Sequence, residues 1–217
     1  MKSFALQINP SLINYNSAIR NKGDIITLLI SIVRFLNFNK PEELENLIIQ
    51  DSENQILLII HIDKMSRVFI VEKNKIHTFQ FPFMISISDD SFKIKYNNIE
   101  MASYVLTLLS NVFNDFDDHK SLEDMIELYW SAIYDLEVDE TDAKTIEKLI
   151  TFLLVFETGY LRFDYDDIQC SKTHPLNHLD FYYSSNNTFK IGINKHLDHK
   201  DLIGLLDISK KCANIKL

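Results

Sequence analysis

The feature that most constrains this chain is a change of hydrophobic period at Ile56. Before it, apolar residues recur at helical spacing; from Ile56 to Tyr96 they alternate with polar ones in short runs. Ile56–Ile62, Arg67–Val71, Lys75–Phe81, Met84–Ser88 and Phe92–Tyr96 read as strands. Turn-forming clusters divide them: Asp63-Lys64-Met65-Ser66, Lys73-Asn74 and Asp89-Asp90, with Asn97-Asn98 at the end. Connections this short join antiparallel neighbours, because a parallel pair needs a crossover of about a dozen residues. The pattern is a meander and not a βαβ array.

Alternation returns at Tyr160–Asp166, His178–Tyr183 and Thr188–Ile193, with a turn at Ser184-Ser185-Asn186-Asn187 between the last two. Several other segments read as helices. Residues 11–38 form two pieces around Asn21-Lys22-Gly23, with Asp24 as the N-cap of the second. Pro41, followed by Glu42, Glu43 and Glu45, opens a short helix. Glu100–Phe113 carries an apolar stripe from Met101 to Val112. Residues 122–136 start at a Ser121-x-x-Asp124 capping box, and 142–157 start at Asp139 or Thr141 and stop at Gly159. Trp130 and the phenylalanines read as core. Asp198 and Asp201 cap a last helix bearing Leu202, Ile203, Leu205, Leu206 and Ile208.

The expectation is an α+β fold with two antiparallel meanders, of about five and about three strands, packed with helices and without a parallel doubly wound sheet. A chain of 217 residues can bury one core, as a single domain over 1–217. Its halves, 1–117 and 118–217, share an order of helices, meander and helix. No residue pattern aligns between them, so no repeat is inferred.

Composition excludes several classes of function. With four Gly in the chain, a phosphate-cradling loop has no material, and no Walker A, G-x-G-x-x-G, G-x-S-x-G or kinase motif is present. No apolar run exceeds five residues, as in Ile56–Ile60, far short of the ~20 residues of a membrane-spanning helix. The N-terminus has no compact apolar segment with a small-residue cleavage site. Cys170 and Cys212 make neither a disulfide framework nor a C-x-x-C zinc pair, so a reducing cytoplasm is expected. The formal charge is -9, and from Asp115 to Asp142 eleven acidic residues face one basic residue, Lys120. Such a surface repels phosphate backbones and disfavours nucleic acid. It reads either as a solvated helix face or as a docking surface for a basic protein partner.

Period two makes one further prediction. In the C-terminal strands, one face takes Leu161, Phe163, Tyr165, Leu179, Phe181, Tyr183, Phe189, Ile191 and Ile193. The other takes Arg162, Asp164, Asp166, His178, Asp180, Tyr182, Thr188 and Lys190, with His174 and Pro175 in the loop before the middle strand. Three readings of this face stand side by side. His174, His178 and Asp180 offer two imidazoles and a carboxylate for a divalent metal, with Asp164 or Asp166 completing the shell or orienting a histidine. Alternatively His178 is a general base set by Asp180 or Asp164, with Arg162 and Lys190 holding an anion. In the third, Arg162, Asp164, His178, Asp180, Tyr182 and Lys190 are a solvated or partner-binding sheet face without catalysis and without a cofactor. His61, His77, His196 and His199 read as ordinary structural residues, and Cys170 lacks the basic neighbour of a nucleophile.

The stretch Gly159-Tyr160-Leu161-Arg162-Phe163-Asp164, then His174-Pro175-Leu176-Asn177-His178-Leu179-Asp180 and Phe189-Lys190-Ile191-Gly192, resembles a pattern in uncharacterised prokaryotic proteins of unknown function. These are similar to accessory proteins of mobile-element or phage-defence neighbourhoods. The resemblance covers the C-terminal strands only and implies an accessory role in a defence or toxin–antitoxin type system, with no catalytic residues to transfer. Three functions therefore remain in view: a non-catalytic binding or interaction module, a metal-dependent hydrolase or nuclease on His174, His178 and Asp180, and a structural subunit that self-associates within a larger assembly.

Overall fold

The computed structural model describes residues 2–13, 15, 19–45, 56–62, 65–113, 121–134, 138–183 and 188–211. In chain order the elements are β1 (Lys2–Ile8), a 3-10 turn (Pro10–Ile13), α1 (Lys22–Asn37), β2 (Ile56–Ile62), β3 (Arg67–Val71), β4 (Lys75–Gln80), β5 (Met84–Ser88), β6 (Ser91–Tyr96) and β7 (Ile99–Glu100). They continue with α2 (Ser103–Phe113), α3 (Leu122–Tyr134), α4 (Glu140–Val155), β8 (Leu161–Tyr165), β9 (Asn177–Phe181), β10 (Phe189–Gly192) and α5 (His199–Leu206). Among the described residues every strand pairing is antiparallel, and the fold is α+β with no parallel sheet among them. Among the described residues no helix is long and apolar enough to cross a membrane.

The strands lie close to where alternation places them, but they are shared out differently. β2, β3 and β4 join β1 and the C-terminal strands in a seven-stranded sheet of order β1-β2-β3-β4-β8-β9-β10; β5, β6 and β7 form a separate three-stranded sheet. The meander breaks at Phe81-Pro82-Phe83. Pro82 has no N–H to donate, so the ladder cannot run through it, and Phe81 and Phe83 turn inward and are buried. The chain divides into two compact units with interleaved segments: Met1–Asn9, Glu42–Phe81 and Thr158–Leu217 in one, Pro10–Pro41 and Pro82–Glu157 in the other.

In the first unit, one sheet face packs against α5. Ala5, Leu57, Ile59, Phe69, Ile76, Leu161, Phe163 and Leu179 form one cluster with Leu202 and Ile203. Asp198 and Asp201 make the predicted capping box that starts α5. Arg67 reaches across two strands, donating from Nε to Thr78 Oγ1 (3.1 Å) and from a terminal nitrogen to the Gly159 carbonyl. Burial lowers its pKa to about 10. Gly159 does not end α4, as the sequence suggests; it sits in the left-handed region (φ 52°), where a Cβ would meet the Arg67 guanidinium at 3.0 Å. The Pro41 segment is not helical across its described part. Glu43 bridges to Phe4, and Ala5 and Leu44 exchange backbone bonds with Glu42 and Ser3, extending the sheet edge beyond β1; residues 46–55 lie outside the described residues.

In the second unit, α1 is capped by Asn21 and not by Asp24. Asn21 accepts from the Asp24 N–H at 2.9 Å while Asp24 accepts from the Asn21 N–H, so Asp24 is the reciprocal N3 residue of the box. Residues 11–20 contain only the short 3-10 turn among those described. Ile99–Glu100 pairs with β6 through the Asn97-Asn98 turn, which shifts the start of α2 to Ser103. The box at Ser121 and Asp124 forms as read, at 3.1 Å in both directions, and Asp139 caps α4 through the Thr141 N–H. Trp130 is not core: it is 36% exposed, its Nε1 donating to Glu147 Oε2 at 3.1 Å.

Candidate functional site: a buried charge cluster on the sheet

Residues directly opposite in an antiparallel pair share a face. That rule traces one row across all seven strands: Leu6, Leu58, Ile70, His77, Arg162, Asp180 and Lys190. Its β1–β3 end is apolar and buried, and its β8–β10 end is charged. A second row runs Lys75, Asp164, His178 and Gly192. Arg162, Asp164, His178, Asp180 and Lys190 therefore converge as period two predicts, with two carboxylates and an imidazole enclosed. The side chains of Asp164, Asp180 and His178 are 9%, 5% and 1% exposed.

The cluster neutralises itself. Arg162 Nε donates to Asp164 Oδ2 at 2.6 Å, and Arg162 Nη2 donates to Asp180 Oδ2. Lys190 Nζ donates to both Asp180 oxygens, at 2.7 and 2.9 Å, and approaches His178 Nε2 at 3.0 Å. On the far side of the ring, His178 Nδ1 lies 2.7 Å from the Pro175 carbonyl. A carbonyl only accepts and an ammonium only donates, so Nδ1 carries the ring proton and Nε2 accepts from Lys190. Burial pulls the Arg162 guanidinium down, but Asp164, Tyr160 and Asp180 more than reverse this and leave its pKa raised. Two cations and two carboxylates thus meet around one histidine.

Local structure accounts for this geometry. Gly192 faces His178 across the ladder, and a Cβ there would come within 2.9 Å of Pro175 Cγ. The absent side chain lets Pro175 fold over the strand and aim its carbonyl at His178. That carbonyl, and neither Asp164 (3.5 Å from Nε2) nor Asp180 (3.9 Å), fixes the ring.

Other sequence candidates lie apart from the core of the cluster. His174 stands against the His178 ring, centroids 4.6 Å apart, but its Nε2 pairs with Asp166 Oδ2 at 3.1 Å. Backbone N–H groups of Gln169 and Ile168, together with His174, hold Asp166 below the usual carboxylate range. Tyr182 leaves the face because its φ of 68° interrupts the alternation; its ring sits 6.3 Å from Phe189, which belongs to the opposite face. Cys170 is exposed, His196 packs edge-on to Phe163 and Tyr165, and Cys212 lies outside the described residues.

Two members escaped sequence reading. His77 enters the row because β4 pairs with β8, and its Nδ1 lies 3.0 Å from the Tyr160 hydroxyl. Burial pushes Tyr160 up to about 12, opposed by Arg162, and burial followed by the Arg162 charge holds His77 far below the ordinary imidazole value. Polar side chains thus run from His77 through Tyr160, Arg162 and Asp180 to Lys190 and His178. Only the β4–β8 pairing reveals this, and no local pattern encodes it.

For a metal, Asp164, His178 and Asp180 each offer one ligand atom, all within 4.8 Å of one another. Lys190 Nζ already holds a cation position among two of those three residues. Fold and site together define an α+β protein whose antiparallel sheet carries a buried, self-neutralised charge cluster at one end. No family model matches the chain, and no curated protein or solved structure matches it.

Proposed function

We propose that this protein is a non-catalytic binding module of the prokaryotic cytoplasm, in which the charge cluster locks the β8–β10 end of the sheet. The observation that carries this reading is the closed bonding of His178: Nδ1 is spent on Pro175 and Nε2 on Lys190, so no lone pair remains for a substrate proton. The likeness of the C-terminal strands to accessory proteins supports a role in a defence or toxin–antitoxin type system. The partly exposed rim of the cluster, Arg162 and Lys190 with Asp166 and His174 beside them, gives the face a mixed polar character suited to a protein partner or small ligand.

A second reading, a metal-dependent hydrolase or nuclease, draws on the three ligand atoms of Asp164, His178 and Asp180. An imidazole with two carboxylates suits zinc or manganese, but binding requires the ion to displace the Lys190 ammonium. Elemental analysis of the purified protein, with melting curves in Zn, Mn and Mg salts, separates the two readings. The first expects no stoichiometric metal and an unchanged melting temperature. One equivalent of metal, with stabilisation that Asp164→Asn abolishes, would replace it with the second.

A further inference from the structure

The negative charge of this chain is segregated. The second unit holds seventeen acidic residues against nine basic, whereas the first holds fourteen against thirteen. Within the second unit, α3 carries Glu123, Asp124 and Glu127 and no Lys or Arg. Only Met125, Tyr129 and Ile133 of that helix are buried. Glu123, Glu127, Trp130 and Tyr134 recur at intervals of four, three and four, so they share one side of α3, beside the buried stripe. Trp130 is 36% exposed and Tyr134 91%. Two aromatic rings on the outside of a helix, among carboxylates, are unusual for a surface that meets only water, because aromatic residues are characteristic anchors of interfaces.

Neighbouring helices fix this surface. Glu147 of α4 accepts the Trp130 indole N–H at 3.1 Å, and the Trp130 ring stands edge-on to Tyr129, centroids 5.5 Å apart. Tyr129 is anchored by its hydroxyl to the Ala143 carbonyl at 2.7 Å. The indole is therefore held with its polar edge satisfied and part of its ring exposed. Tyr104 of α2, 42% exposed, feels the charge of Asp142 on α4, which adds a third ring and another carboxylate to the same group of helices. Of the two lysines of α4, Lys144 and Lys148, Lys144 is held by Glu140 at 2.6 Å and also feels the charge of Glu147.

We propose that the face of Glu123, Glu127, Trp130 and Tyr134 on α3, with Glu147 on α4, docks a basic amphipathic helical segment of a partner protein. Its Lys or Arg side chains meet the carboxylates and aromatic rings, and its apolar side covers Trp130 and Tyr134. This rests on the binding-module reading and supplies its partner class. Charge complementarity selects the occupant: an acidic segment or nucleic acid is repelled, and a second copy would set one acidic α3 against another.

Trp130 is the only tryptophan in the chain, so intrinsic fluorescence reports on this face directly. A synthetic Leu/Lys amphipathic helix titrated into the intact protein is expected to give a saturable blue shift that weakens with salt. A peptide with Glu for every Lys is expected to give none. The exposed double variant Glu123→Lys, Glu127→Lys, checked for folding by circular dichroism, is expected to bind on the order of tenfold more weakly, as two attractions become repulsions. No blue shift, equal binding of the Glu peptide, indifference to the charge reversal, or self-association through this face in sedimentation would each overturn the proposal. The metal experiment reads the other unit, so a failure of this docking proposal and a failure of the binding-module reading are distinguishable.

Discussion

Removing the Lys190 ammonium tests whether the cluster is a lock. Lys190→Met keeps the aliphatic stem and deletes three contacts, at 2.7 and 2.9 Å to Asp180 and 3.0 Å to His178. Deleting one partner of a fully buried ion pair costs about 3–5 kcal/mol, because the remaining charge is stranded. Here Arg162 still holds Asp180, and the Lys190 side chain is 26% exposed, so the loss is closer to that of a hydrogen bond to a charged group, about 2–3 kcal/mol. For a chain of this size that lowers the melting temperature by roughly 4–12 °C. Lys195→Met is the matched control. Lys195 also meets a carboxylate at 2.7 Å, but there the two side chains are 63% and 36% exposed. Such a pair contributes about 0–1 kcal/mol, so its loss shifts melting by at most roughly 4 °C. Calorimetric scans of both variants decide the matter. Equal shifts, or a Lys190→Met protein that melts with the wild type, would refute the claim that burial makes this cluster a structural element.

Gly192→Ala puts a methyl group 2.9 Å from Pro175 Cγ and is expected to cost about 1–3 kcal/mol through overpacking. Histidine NMR should then show His178 losing its Nδ1-protonated form as the Pro175 carbonyl moves away. Gly204→Ala, inside α5 with nothing nearer than the Lys210 amine at 3.7 Å, is expected to be neutral or to stabilise by up to about 1 kcal/mol. Acid should weaken the fold through its buried histidines. Burial lowers His61 from 6.5 to about 4, and His77 moves the same way. Between those values the unfolded chain binds protons that the folded chain refuses, so stability is full above pH 6.5 and is lost as pH falls toward 4. Urea melts at about pH 7.5 and about pH 5 should differ, His61 alone accounting for about 2 kcal/mol of the difference, and His61→Gln should flatten the slope. A flat profile in the wild type would contradict the burial of these rings.

What the sequence reveals of this fold follows the range over which each signal acts. Capping boxes are local, and those at Ser121/Asp124 and Asp198/Asp201 form where the residues place them. At α1 the motif is present but shifted: Asn21 and Asp24 both suit an N-cap, and only the direction of the bonds shows Asn21 in that role. Strand positions are nearly as local, since alternation in Met84–Ser88 or Ser91–Tyr96, like the continuous apolar run of Ile56–Ile60, is internal to each strand. Pairing is not. Nothing near Lys75–Gln80 says that its neighbour is Leu161–Tyr165 and not the strand that follows, and Pro82 is the single local hint. β1 was missed for the same reason, because Lys2–Ile8 becomes a strand only once β2 offers it an edge.

The site divides along the same line. Arg162, Asp164, His178, Asp180 and Lys190 were legible because β8, β9 and β10 are consecutive and period two assigns faces before pairing is known. Their burial was not legible: a polar face on an antiparallel sheet is ordinarily solvated. Charges that composition would place in water instead sit against one another at 2.6 to 3.0 Å. That difference matters for function. On an open face, His178 would be a free imidazole beside two carboxylates and a plausible base. Inside a closed cluster its two nitrogens are already committed, and any chemistry there must first break the contact with Lys190 or Pro175. An activity traced to His178 would therefore require β10 or the Pro175 loop to move, and Lys190→Met and Gly192→Ala are the substitutions that would raise it.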